Sequence, residues 1–177
     1  MKKNIYIARL DLGGTNIRLG VYSASNKQLK LYKKIVGSNK RFSVIIKLIA
    51  AMLFEAEKEL KIKISALQAG IPGIVNGHKG IVYSSPHYPQ WKNVSFASKL
   101  RHEIKIPVEI DNDANRLALI ESKLGVGKNL NSFVMLTLGT GIGGGIIINK
   151  KIFHGDCGFA GEVGHTVIEA DGNPCGC

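Results

Sequence analysis

The stretch that most constrains this chain is Asp11-Leu12-Gly13-Gly14-Thr15-Asn16. The apolar run Ile5-Tyr6-Ile7-Ala8 precedes it and the alternating run Ile17 to Tyr22 follows. That pattern predicts strand, tight turn, strand. Paired glycines remove the Cβ atoms that would keep a ligand away from the backbone, and they tolerate positive φ. Amides turned inward at such a turn form an anion cradle, to which Thr15 adds a hydroxyl. Asp11, at the lip, is the kind of lone carboxylate on which Mg2+ settles while keeping most of its waters. An ordinary β-turn containing Gly-Gly is the competing reading of these residues, and the rest of the chain has to separate the two.

A second stretch has the same form. Phe133 to Leu138 predicts a strand that runs into Gly139-Thr140-Gly141-Ile142-Gly143-Gly144-Gly145, and Ile146 to Asn149 predicts the strand that leaves. Five glycines between positions 139 and 145 are costly to fold. A phosphate that needs bare backbone accounts for the cost. No helix follows, which excludes a Rossmann fingerprint, and no Gly-Lys-Ser/Thr ending is present, which excludes a P-loop. Strand, glycine turn, strand therefore occurs once in each half, a repeat suited to two related lobes closing on one nucleotide.

Between the two lies α/β patterning. Arg41 to Lys61 has apolar residues at helical spacing, Ile64 to Ile71 reads as a buried strand, and residues 74–75 and 81–83 read as a small hairpin. Ser95 predicts the N-cap of a short helix through His102. The strand Val108-Glu109-Ile110 ends in Asp111-Asn112-Asp113, and a helix from Ala114 to Leu124 follows. Ligands of open α/β sheets bind at the carboxyl ends of strands, so a carboxylate there could act as a general base on an alcohol. Spacing alone leaves Asp111 and Asp113 both open, with plain helix capping as the structural alternative.

Gly161-Glu162-Val163-Gly164-His165 places a carboxylate and an imidazole beside two glycines. Glu162 is suited to the vicinal hydroxyls of a sugar. His165 with Cys175 and Cys177 offers three zinc-type ligands, one short of a structural site. The third cysteine, Cys157, reads as a plain thiol, and an odd number of cysteines argues against a disulfide framework.

The formal charge of +11 raises nucleic-acid binding as a class. The basic residues, however, are mostly scattered lysines, in short pairs such as Lys33-Lys34 and Lys150-Lys151, without interleaved aromatics. That distribution argues for a solvated surface that also attracts a polyphosphate, and against specific nucleic-acid recognition. No apolar run approaches a membrane span and Met1-Lys2-Lys3-Asn4 carries no signal-peptide pattern, so the expectation is a cytoplasmic protein with no membrane partner.

Together the motifs resemble the ROK family of sugar kinases and repressors, within the actin-like ATPase superfamily. Four blocks match in order: Asp11-Leu-Gly-Gly-Thr-Asn, Asn112-Asp113-Ala114-Asn115, Leu138-Gly-Thr-Gly-Ile-Gly-Gly-Gly, and Gly161-Glu-Val-Gly-His165 followed by Cys175-Gly-Cys177. The resemblance implies an α/β, ribonuclease H-like fold. A complete N-terminal sugar- and phosphate-binding lobe would span residues 1–113, and 114–177 would begin a nucleotide-binding lobe with a partial zinc site. Family members continue further, so the chain looks C-terminally truncated and is expected to be weakly active alone.

The implied activity is ATP-dependent phosphorylation of a hexose, glucose to glucose 6-phosphate first, with N-acetylmannosamine or N-acetylglucosamine next. Asp113 would be the catalytic base. Gly70, Asn112, Asp113, Glu162 and His165 would hold the sugar. Asp11, Gly13, Gly14, Thr15 and Asn16, with Gly139, Thr140, Gly141 and Gly143, would hold the ATP phosphates and Mg2+. His165, Cys175 and Cys177 would bind structural Zn2+, the fourth ligand lying outside this sequence. Sugar and ATP are the implied partners, and a homodimer the implied assembly. The other class in the family is a sugar-responsive repressor, which carries a helix-turn-helix ahead of the first glycine motif; Asp11 stands too near the start for one. A non-catalytic sugar-binding remnant is the third reading. Two departures stand out. Pro86-His87-Tyr88 replaces the usual Pro-Asn-Leu of the sugar-contacting loop, and Arg9 replaces a small residue in the first strand, where a buried guanidinium would need a partner.

Overall fold

The computed structural model describes residues 4–139 and 141–175. The chain divides into two units, Met1–Asp111 and Asn112–Cys177.

In the first unit, β1 (Tyr6–Leu12), β2 (Asn16–Ser23) and β3 (Gln28–Ile35) form an antiparallel meander. Alternation sets the faces. Ala8, Leu10 and Leu12 of β1 and Ile17, Leu19 and Val21 of β2 are buried, while Asp11 and Arg18 stay exposed. The helix α1 (Phe42–Leu60) buries Ile45, Ile46, Ile49, Ala50, Met52, Leu53 and Ala56, the stripe its periodicity predicts. It is fastened to β3 by ion pairs of Lys30 with Glu59 and Lys34 with Glu55, and by the Tyr32 phenol, which donates to Glu59 at 2.9 Å. Lys61 ends the helix in the left-handed region, at φ 53°, with its amide returned to the Glu57 carbonyl.

The strand β4 (Ala66–Ile71) then runs parallel to β1, which sets Gly70 beside Asp11. The strands β5 (Ile74–Asn76) and β6 (Ile81–Ser84) make the small hairpin, α2 (Phe96–Ile104) follows, and β7 (Val108–Asn112) completes a sheet of order β3-β2-β1-β4-β7. Ser95 occupies the N-cap of α2, but its side chain makes no capping bond. Arg9 is half-buried rather than buried. Its guanidinium lies over the Tyr22 ring at 4.6 Å and donates to Asn26 at 2.8 Å, so the partner missing from the sequence reading is an aromatic face and an amide oxygen.

The second unit contains α3 (Asp113–Leu124), β8 (Phe133–Leu138), β9 (Ile142–Ile148) and β10 (Lys151–Ile152), with sheet order β10-β9-β8. Among the described residues β8 is an edge strand, and its Val134, Leu136 and Leu138 are exposed. The strand after the second glycine turn begins earlier than its composition suggests. Gly143, Gly144 and Gly145 belong to β9, paired with Thr137, Leu136 and Met135. Three glycines weaken a strand by themselves. Here packing requires them. A Cβ on Gly145 would stand 2.5 Å from the Ala118 Cβ of α3, and one on Gly144 would stand 2.7 Å from the Gly161 carbonyl.

Candidate active site

The first glycine turn joins β1 to β2. The Gly13 amide donates to the Asn16 carbonyl at 2.9 Å, and the Thr15 carbonyl accepts from Val36 at 2.9 Å. Among the described residues the amides of Gly14 and Thr15 have no hydrogen-bond partner. Two adjacent unpaired donors on a half-open turn are what an anion cradle offers. Neither Gly13 nor Gly14 has positive φ, so backbone freedom is not why glycine stands there. A Cβ on Gly14 would lie 2.7 Å from Cγ of His87, which makes close approach the reason. Asp11 faces Arg18 across the ladder, with Arg18 Nη1 3.1 Å from Oδ2, and both side chains are exposed.

The loop carrying His87 is anchored from below. Tyr88 is fully buried, stacks on Trp91 with centroids 4.2 Å apart, and donates its hydroxyl to the Gly13 carbonyl at 2.8 Å. Burial pushes the Tyr88 phenol up to about 12. Trp91 in turn donates Nε1–H to the Lys40 carbonyl at 3.1 Å and meets Phe42 edge-on at 5.3 Å. Pattern reading treated this loop as a departure in substrate contacts and missed its support of the turn. Pro86 and Pro89 were the visible signal of a fixed loop, but its partner lies 75 residues away in sequence.

In the second unit, α3 opens on the acidic motif. Asn112 is the N-cap, its Oδ1 accepting from the amides of Ala114 at 2.8 Å and Asn115 at 3.2 Å. That commits Asn112 Oδ1 to the helix. Asp113 is exposed on the first turn, with Oδ1 accepting from Ala114 at 2.9 Å, a position favoured for negative charge by the helix dipole. Glu162 lies within electrostatic reach of both Asp113 and His165. Burial chiefly raises the Glu162 carboxyl, His165 opposes that rise, and the Asp113 charge adds to it. His165 Nε2 stands 3.8 Å from Glu162 Oε2, and its Nδ1 stands 3.9 Å from Cys175 Sγ.

The glycines on either side of Glu162 have packing roles. A Cβ on Gly161 would lie 2.6 Å from the Gly144 carbonyl, and one on Gly164 would lie 2.1 Å from that of Ile142. The two glycines thus press this loop onto β9, and Glu162 is presented between them. At the second turn the five glycines separate into two groups. Gly139 and Gly141 have nothing within 4 Å of an added Cβ. Gly143 would meet Thr137 Oγ1 at 2.6 Å, so it is as much a packing glycine as Gly144 and Gly145. Thr140 lies outside the described residues.

For zinc, bonds of about 2.3 Å to sulfur and 2.0–2.1 Å to nitrogen at tetrahedral angles leave ligand atoms about 3.6 Å apart. The 3.9 Å between His165 Nδ1 and Cys175 Sγ is close to that edge. Cys177 lies outside the described residues, and among those described no group of three metal-binding side chains assembles.

Comparison with known proteins agrees with this arrangement of motifs. The ROK family profile matches residues 7–177. A glucokinase of Thermotoga maritima is 34% identical over 169 residues, covering 95% of this chain and 52% of its own. A xylose repressor of Caldicellulosiruptor bescii is 42% identical over 108 residues, covering 61% of this chain and 27% of its own. Among solved structures, a ROK family glucokinase from Streptomyces griseus in complex with glucose and AMPPNP superposes with a TM-score of 0.84 at 31% identity, over 97% of this chain and 54% of that one. The chain thus spans about half the length of the glucokinases it matches. Its α/β architecture is the actin-like ATPase fold of those kinases. With the profile running from the first strand to the last cysteine, the chain belongs to the ROK family.

Proposed function

We propose that this chain forms the acceptor- and phosphate-binding part of an ATP-dependent hexose kinase, with the 6-hydroxyl of glucose as the first candidate acceptor. The observation that carries the reading is the pair of carboxylates in the second unit. Asp113 sits on the first turn of α3, and Glu162 is half-buried within its electrostatic reach. One exposed carboxylate beside one whose burial disfavours charge gives the two different roles a kinase needs at its acceptor.

In that reading Asp113 takes the proton of the sugar hydroxyl as its oxygen forms a bond to the γ-phosphorus. The bond from that phosphorus to the β,γ-bridging oxygen breaks, and the electron pair leaves with ADP. Glu162 and His165 accept and donate hydrogen bonds to neighbouring sugar hydroxyls. Asn112 contributes its amide nitrogen, since its oxygen caps the helix, and Gly70 leaves backbone room at the end of β4. The Gly14 and Thr15 amides take a phosphoryl group, with Gly13 and Asn16 closing the turn beneath them, while Gly139 and Gly141 offer open backbone to the nucleotide. Mg2+ supplies charge neutralisation on the phosphates, and the exposed Asp11 carboxylate would hold it through water. His165 and Cys175 would hold Zn2+ together with Cys177 and a ligand beyond this sequence. A cytoplasmic location and a homodimer belong to the same reading.

Sugar-dependent ADP release by the chain, over glucose, N-acetylmannosamine, N-acetylglucosamine and xylose, tests it, with Asp113→Asn as control. Turnover on one hexose, lost in the variant, supports the kinase. Sugar binding without turnover, in this chain and in one extended to the length of its relatives, supports a regulator or remnant, the reading that similarity to the xylose repressor favours.

A further inference from the structure

The mechanism leaves one polar side chain at the first turn without a task. His87 is exposed, and its ring lies against Gly14, where an added Cβ would stand 2.7 Å from Cγ and 2.9 Å from Nδ1. The loop beneath it is held by the buried Tyr88, by the Tyr88 bond to the Gly13 carbonyl, and by the Trp91 bond to the Lys40 carbonyl. The imidazole is therefore presented on a fixed mount beside the unpaired amides of Gly14 and Thr15. Arg18 is paired with Asp11, and Lys40 lies over the Tyr88 ring at 5.7 Å.

We infer that His87 is a phosphoryl-contacting residue: its imidazole completes the cradle of Gly14 and Thr15 by donating a ring N–H to a phosphoryl oxygen held on their amides. The ligand chemistry is a terminal phosphoryl group, which either a polyphosphate chain or a sugar phosphate can present. A donor at this point adds a third hydrogen bond to an anion that two amides hold incompletely. The inference rests on the reading of this turn as a phosphate site, but not on turnover.

The test uses the whole chain and two probes, inorganic tripolyphosphate and glucose 6-phosphate, titrated by calorimetry and by 15N resonances of the imidazole. The expected result is binding of tripolyphosphate that shifts the His87 ring resonances. It should weaken about tenfold in His87→Ala, the lower end for a hydrogen bond to a charged acceptor. His87→Gln keeps a donor and should recover part of that loss. Thermal denaturation of each variant excludes unfolding as the cause. Tighter, His87-dependent binding of glucose 6-phosphate would instead place the contact on the product. Equal affinity in the wild type and His87→Ala, or no binding of either probe, would overturn the inference. The two readings separate. His87-dependent phosphate binding without turnover retains the contact and removes the kinase. Turnover with KM for ATP and kcat unchanged in His87→Ala retains the kinase and removes the contact.

Discussion

The Tyr88 hydroxyl and the Gly13 carbonyl are joined at 2.8 Å, across 75 residues of sequence. The bond ties the first glycine turn to a buried aromatic stack. Tyr88→Phe keeps the packing and leaves the carbonyl without this donor. The expected cost is about 1 kcal/mol, read from urea denaturation of the chain. A second readout follows from the raised phenol. Because the folded state favours the neutral form, Tyr88's contribution is fully present below its ordinary value of 10.0 and fades as pH rises through about 12. Phenolate absorbance should show one late-titrating tyrosine fewer in the variant.

Glu162 gives a pH dependence of the same sign at the acid end. Burial, with the Asp113 charge behind it, raises the carboxyl above its ordinary 4.5, so folding favours the protonated acid. That contribution is present below the ordinary value and lost as pH rises through the folded one. Glu162→Gln should therefore gain melting temperature relative to the wild type on going from roughly pH 4 to pH 7. Asp113→Asn should lower the Glu162 midpoint, read by 13C-carboxyl titration.

Gly145→Ala and Gly141→Ala should behave in opposite ways. The first forces a Cβ to 2.5 Å from Ala118 of α3 and should destabilise by about 1–3 kcal/mol, as overpacking does. The second meets nothing within 4 Å and should leave stability nearly unchanged while weakening nucleotide binding. Denaturation and AMPPNP titration of both variants distinguish a packing glycine from a ligand glycine.

Asp113→Asn removes the proposed base while keeping the shape of the residue and an oxygen for the Ala114 amide. Sugar-dependent ADP release should fall by about 10²–10⁴ with melting temperature little changed. An equal loss of release in Asp111→Asn, without unfolding, would move the base to the other carboxylate.

The first hairpin and its glycine turn and α1 were legible because period-2 and period-3.6 patterns are local properties of the chain. The order of the four motifs carried the family. What the sequence concealed was contact between distant segments. Nothing near residue 14 announces that a histidine at 87 lies against the place its Cβ would take. Gly143 to Gly145 look like turn residues because their reason, the close approach of α3 and of Gly161, lies elsewhere in the chain. Arg9 looked like a buried charge because strand alternation does not reveal that Tyr22 and Asn26 wait on the same face. Asn112 read as a sugar ligand or a cap; its oxygen is a cap.

The edge strand β8, with Val134, Leu136 and Leu138 outward, has a consequence for handling the protein. Unpaired backbone beside an apolar row is a template for sticking to other chains. The formal charge of +11 works against it, since copies repel one another before their edges meet. That repulsion reaches about 10 Å at 0.1 M salt and about 3 Å at 1 M. The chain should therefore stay dispersed in dilute buffer and cloud as salt is added, the opposite of a protein held in solution by a balanced surface.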